Sequence, residues 1–199
     1  MGLKRWLTGV ALGLGGLAIL MSTKAADSVP LPTESSKQLS AADDAAIRGV
    51  VAAFASSWNH HDMDAMHVID IEDVEWINVT GNHWRGKADV RRGHTNIHRT
   101  ICAKDEVKVD QALVRLIAPG VAIAVTTMRF SSSDDKAAPM YSATGQIVPV
   151  VKTRGSFVLV KRGKSWKIAQ FQNTIVDPIA EEHDPVDWDK TGFDPRKRP

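Results

Sequence analysis

His94 interrupts a helical stripe otherwise made of Val90, Ile97 and Ile101. A histidine turned toward a protein interior needs a partner for its ring N–H. It is either a core histidine bonded to a nearby carbonyl, or an acid/base or ligand hydrogen-bonder at a pocket wall. Asn78 shares a strand face with Trp76, and Trp58 and Trp84 flank that segment. An aromatic wall carrying an amide has the make-up of a small-molecule pocket, an apolar lining with few fixed polar groups. Arg154 and the pair Gln170 and Gln172 add candidate polar groups from the last two strands. Gln170 and Gln172 alternate with Trp166 and Ile168, so a core-facing row is expected to turn polar toward its end.

Three other groupings invite chemistry and are read otherwise. His94 and His98 have the i, i+4 spacing of a metal pair, but no third ligand follows at a diagnostic spacing, so no metal is expected. His60-His61-Asp62 lies on an interhelical turn, where adjacent side chains diverge and Asp62 serves as a helix N-cap. Asp70, Glu72 and Asp73 sit at the start of a strand and read as capping and solvated-turn groups. Cys102 is the one cysteine, which excludes a disulfide framework and any CxxC motif. No GxSxG elbow, P-loop or dinucleotide fingerprint is present, so no cofactor is expected.

The elements that must hold these residues follow from periodicity. Ser40 caps a helix carrying Ile47, Val50, Val51, Phe54 and Trp58 at helical spacing. A short helix capped by Asp62 carries Met63, Met66 and Ile69. The period then falls to two: Val74, Trp76 and Asn78 face one way, and Glu75, Ile77 and Val79 the other. Thr80-Gly81-Asn82 turns the chain into His83-Trp84-Arg85. A third helix spans about 87–100. Four long strands follow, over about 107–117, 121–130, 150–161 and 166–175, with a polar loop at 131–146. Helices first and a mostly antiparallel meander second predict an α+β fold, with three N-terminal helices against a curved antiparallel sheet.

The 199 residues fit one domain with appendages. Lys4 and Arg5 precede a 16-residue apolar run, Trp6 to Met21, and small residues reach Ala25. This is the pattern of a cleaved signal peptide over 1–25, which predicts a periplasmic or secreted protein with no membrane contact after cleavage. Residues 26–40 are polar with two prolines and read as a disordered leader; 41–176 form the domain; 177–199 read as an irregular tail that Trp188 and Phe193 help to pin. The excess of basic groups behind the formal charge of +2 belongs to the expected signal peptide. Without Lys4, Arg5 and Lys24, 22 basic groups face 23 acidic ones. The remaining basic residues are scattered, so no nucleic-acid partner is expected.

The segments Trp58-Asn59-His60-His61-Asp62, Trp76-Ile77-Asn78-Val79-Thr80-Gly81, Trp84-Arg85-Gly86, Val90-Arg91-Arg92-Gly93-His94 and Gln172-Asn173-Thr174 resemble the SnoaL-like group of the nuclear transport factor 2-like superfamily, more narrowly its SgcJ/EcaC-type members. The resemblance covers about residues 43–176. It implies a cone-shaped (cystatin-like) fold with a pocket at the open end, and homodimers through the outer sheet face. It leaves function open, since this fold hosts isomerases, cyclases, dehydratases and binding modules. In the ketosteroid isomerases of the superfamily an aspartate on the first strand is the base. Here Asn78 takes that position and an amide cannot serve, while the only tyrosine, Tyr141, lies in the polar loop.

The reading is therefore an exported domain that binds a small, largely apolar molecule with Trp58, Trp76, Trp84, Arg154, Gln170 and Gln172. His94 and Asn78 are its candidate catalytic groups. The alternatives are a non-catalytic dimeric interaction module, and a proton-transfer enzyme with His94 as acid/base.

Overall fold

A computed structural model of the chain describes residues 39–133 and 150–191. The expected signal peptide, the leader up to residue 38, most of the polar loop with Tyr141, and Phe193 lie outside the described residues.

Helix α1 (Ala41–Asn59) starts where the Ser40 hydroxyl accepts from Asp43 N–H, and Asp43 and Asp44 sit at its positive end. Its apolar stripe of Ile47, Val50, Val51, Phe54 and Trp58 is buried. His61, with φ of 52°, turns the chain into α2 (Met63–Val68), capped by Asp62 accepting from Ala65 N–H. Strand β1 (Asp70–Ile77) and the short β2 (His83–Arg85) form an antiparallel pair closed by the 78–82 turn. Helix α3 (Lys87–His98) follows Gly86, whose φ of 76° suits glycine. Strands β3 (Asp105–Ala118), β4 (Val121–Ser132), β5 (Val150–Arg162) and β6 (Ser165–Ile175) pair in sequence as an antiparallel meander.

The sheet order is β2-β1-β6-β5-β4-β3. It is mixed, because β1 lies parallel to β6. That pairing joins the first and last long strands of the domain. The helices cover the face carrying Val74, Trp76, Phe157, Leu159, Ile168 and Phe171, all buried. Asn59 clips α1 to the sheet by donating to Val107 O (3.0 Å) and accepting from Val107 N–H (2.7 Å). At the other end Asp43 accepts from Trp166 Nε1 (2.8 Å) and Lys161 Nζ (2.6 Å).

The described part of the tail is helical rather than irregular. Helix α4 (Pro178–Glu182) is capped by Asp177, and a 3₁₀ turn at Pro185–Asp187 leads to α5 (Trp188–Thr191). Glu181 fastens it to β5 by pairing with Lys152 (2.6 Å) and Arg154 (3.1 Å), while Trp188 Nε1 donates to His183 O within the tail.

Candidate functional site

A cavity of about 50 Å³ lies between α1, α3 and the concave sheet face. Phe54 and Trp58 from α1, Trp76 from β1 and Trp84 from β2 give it aromatic walls. Ile97 and Ile101 close it from the side of α3, and Phe130 and Phe171 from the sheet. Asn78, Val79 and Thr80, partly exposed on the β1–β2 turn, stand at its rim. The volume is small: an engineered apolar cavity that takes benzene measures about 150 Å³.

Among its polar lining groups, His94 is 2% exposed and boxed by rings. Trp76 meets it edge-on at 4.8 Å between centroids and Trp84 at 5.2 Å. His67, from α2, stacks on its far side at 5.1 Å with planes 30° apart. The Trp84 indole reaches this position because Gly93 is bare: a Cβ there would lie 2.8 Å from the ring. Burial holds the His94 pKa well below the ordinary histidine value, and the neighbouring His67 and His98 push it the same way; a hydrogen bond to the Val90 backbone one turn back opposes them more weakly. His94 is thus a neutral imidazole, with one ring nitrogen to donate and one to accept.

Three lining side chains carry buried polar atoms with no protein partner: Trp58 Nε1, Thr153 Oγ1 and Asn173 Oδ1. Buried polar atoms are paired as a rule, and leaving one unpaired costs about 1–3 kcal/mol.

The candidates from the sequence divide. Trp58, Trp76, Trp84, Asn78 and His94 converge on the cavity. Asn78 Oδ1, however, is committed to the turn, accepting from Thr80 N–H (3.1 Å), Thr80 Oγ1 (2.8 Å) and Asn82 N–H (2.9 Å). Gln170 and Gln172 do not line it. A register shift between Val158 and Leu159 leaves Ala169 unpaired, so the faces exchange: Trp166 and Ile168 point inward before it, Phe171 and Asn173 after it. The expected polar end of the core-facing row is Asn173. Arg154 likewise stays outside, bonded to Thr127 Oγ1 and Glu181.

His98 is buried as well. Its ring packs 4.4 Å from Trp58, and its Nδ1 lies 2.7 Å from His61 Nδ1, which reaches across from the α1–α2 turn. Burial first, then His61 and His67, lower its pKa to about 4. One edge of the ring borders an open surface groove that also holds Asp62, Asp64 and Arg91.

Asp70 is no solvated turn residue either. It is 3% exposed, and its Oδ2 lies 2.6 Å from His67 Nδ1, both side chains being almost wholly buried. Burial raises the Asp70 pKa; the His67 hydrogen bond and charge, then Lys87 and Lys167, partly offset it. Sequence reasoning missed His67 and Asp70, although two signals were available. His67 follows Met66 on the inner side of α2, and Asp70 has the parity of Val74 and Trp76 on β1.

A SnoaL-like domain profile matches residues 47–178. Among solved structures, the chain is similar to an uncharacterised cystatin-like protein from Caulobacter vibrioides at 29% identity, with a TM-score of 0.63 over 72% of this chain and 96% of that one. It is similar at 18% to a cystatin-like domain of unknown function from Nostoc punctiforme, with a TM-score of 0.58 over 79% and 90%. A ketosteroid isomerase-like protein from Erwinia carotovora atroseptica shares the fold at 14% identity, with a TM-score of 0.50 over 67% and 96%. No curated protein matches the chain.

Proposed function

From the premise that the chain belongs to the SnoaL-like domain family, we propose that it binds a small, largely apolar molecule carrying a hydroxyl or carbonyl group in the cavity beside His94. The observation that carries this reading is a cavity walled by aromatic rings in which Trp58, His94, Thr153 and Asn173 supply a few polar groups. A ligand hydroxyl or carbonyl pairs with those groups, and rings supply its apolar contact. Accommodating it requires the walls to move apart. The signal-peptide reading of residues 1–25 extends the proposal to an exported protein.

Screening small aromatic alcohols and ketones by thermal shift tests this directly. The expected result is stabilisation by several degrees, since a ligand at 100 times its Kd adds about 2.7 kcal/mol. His94→Ala is expected to weaken binding at least tenfold, roughly 1.4 kcal/mol. Unchanged stabilisation in the variant removes His94 from the site. A panel with no binder, followed by an empty extract from the purified protein, leaves only the reading of an interaction module.

The neutrality of His94 favours a second reading, proton transfer. The bare ring nitrogen takes a proton from a carbon next to the ligand carbonyl, the Thr153 hydroxyl or Trp58 N–H donates to the oxyanion that forms, and the imidazolium returns the proton at another carbon. The first-strand base of the isomerase scheme is replaced here by a base on α3.

The partner expected from the family is a second copy of the chain. Leu113 and Ile117 on β3 and Val125 on β4 are large, apolar and exposed, and Leu113 pairs with Val125 across the strands. Light scattering is expected to give twice the chain mass, and Leu113→Lys to return it to the monomer. A monomer at every concentration in the parent protein overturns this.

A further inference from the structure

Behind the cavity lies more polar machinery than one ligand-facing histidine needs. Taking an aspartate and a histidine out of water together is expensive unless every polar atom is answered. Here Asp70 Oδ1 and His67 Nε2 have no partner at all. The two sit against the only histidine that lines the cavity, with His67 stacked on the ring of His94. A costly buried pair beside a cavity marks function more readily than stability.

We propose that Asp70 and His67 are positioning residues, whose hydrogen bond fixes the ring stacked on His94 and so sets the protonation state His94 presents to a bound molecule. The inference rests on the reading that His94 faces a ligand in the cavity. Its logic is charge balance. Burial in an apolar surrounding favours a cluster of zero net charge. One carboxylate, Asp70, balances one positive charge, and two stacked rings, His67 and His94, compete for it. With the Nδ1 of His67 held 2.6 Å from the Asp70 carboxylate, His67 has the first claim. His94 is left neutral, able to accept. When His94 takes a proton from a ligand, its new positive charge is balanced by the anion formed on the ligand, and Asp70 keeps its bond to His67.

The other charged groups nearby do not disturb this assignment. His98, one turn along α3, is turned toward His61 at 2.7 Å. Lys87 on α3 is held by Glu72 at 2.9 Å, and Lys167 on β6 by the Val68 carbonyl at 2.6 Å; both favour an ionised Asp70. The rings packed on His94 from β1 and β2, Trp76 and Trp84, carry no charge.

The test is a pH titration of the histidine ring nitrogens by NMR on the ligand-free ¹⁵N-labelled protein. His67→Gln keeps a donor to Asp70 but removes the competing ring. It is expected to raise the His94 midpoint by at least one pH unit, because the carboxylate now has His94 as its nearest titrating ring. Adding Asp70→Asn is expected to cancel that rise. A purely structural pair would move neither. In the parent protein the ring nitrogens of His94 are expected to keep the neutral pattern at pH 6, a reading that needs no variant to fold. A His94 ring already charged at pH 6 in the parent, or a His94 midpoint unmoved by His67→Gln, overturns the proposal. No ligand enters these measurements, so their failure is separable from failure of the ligand screen.

Discussion

Lowering the pH from 6 to 5 is expected to remove roughly 2 kcal/mol of folding stability. The cause is two imidazoles buried in neutral form. His94 titrates well below the usual 6.5 in the folded chain, and His98 at about 4. The sign follows directly. A histidine with a depressed folded pKa binds its proton more readily when unfolded. Below 6.5 the unfolded state gains protons that the folded state refuses, and stability falls as pH falls. Two such groups give a limiting slope near 2.7 kcal/mol per pH unit; the share of His98 is the smaller, because water in the groove screens one edge of its ring. Asp70 acts the other way. Its raised pKa lets the folded state keep a proton above 3.8, which softens the loss at the acid end. Asp43, Asp110 and Glu181, held low by Lys161, Arg129 and Lys152, add to the loss only once the pH drops through the carboxylate range. Urea midpoints at pH 7, 6 and 5 measure the slope, and His98→Gln is expected to reduce it. A midpoint that stays flat from pH 7 to 5 contradicts the burial of neutral imidazoles.

Phe54→Ala is expected to cost about 3–5 kcal/mol, a large part of the stability of a domain this size. Phe54 is 1% exposed, and four rings surround it: Phe157 at 5.6 Å, Phe171 at 5.7 Å, Trp76 at 5.9 Å and Trp58 at 6.0 Å between centroids. These belong to three strands and its own helix, so no single side chain can swing in to fill the void. Phe54 also lines the cavity. The lost ring is therefore expected to enlarge that space rather than leave a sealed hole. Urea melts with and without toluene separate the two effects: destabilisation alone, then partial recovery as toluene occupies the added volume. A loss below 1 kcal/mol would mean that the helix collapses onto the sheet and that the ring is not a spacer for the pocket.

Much of the cavity wall was legible because it obeys a period. Trp58 on its helix stripe and Trp76 with Asn78 on a strand face were placed by counting residues, and the histidine at position 94 declared itself by breaking a stripe. The misses have physical reasons. Gln170 and Gln172 were assigned to the wrong face because one unpaired residue, Ala169, inverts the alternation, and no side-chain pattern announces a bulge. Asp70 looked like a turn residue because acidic residues cluster at that strand's start; its burial comes from α2 and α3 closing over it, a tertiary fact. The bond between His61 and His98 spans 37 residues and depends on a positive φ at His61, which spacing cannot reveal. The parallel seam between β1 and β6 was hidden for the same reason, since a meander of neighbours gives no sign of which ends meet.

That seam has a consequence for the order of events in folding. Trp76 pairs with Phe171, nearly a hundred residues later, and both form walls of the cavity. A contact so distant along the chain is won only after a long loop closes, which slows folding and places this step late. A chain cut before β6 lacks Phe171 and Asn173 and the strand that pairs with β1, so its cavity is expected to be incomplete and unable to hold a ligand. Among the described elements, β6 is the keystone: the cavity and the domain are finished by the same strand.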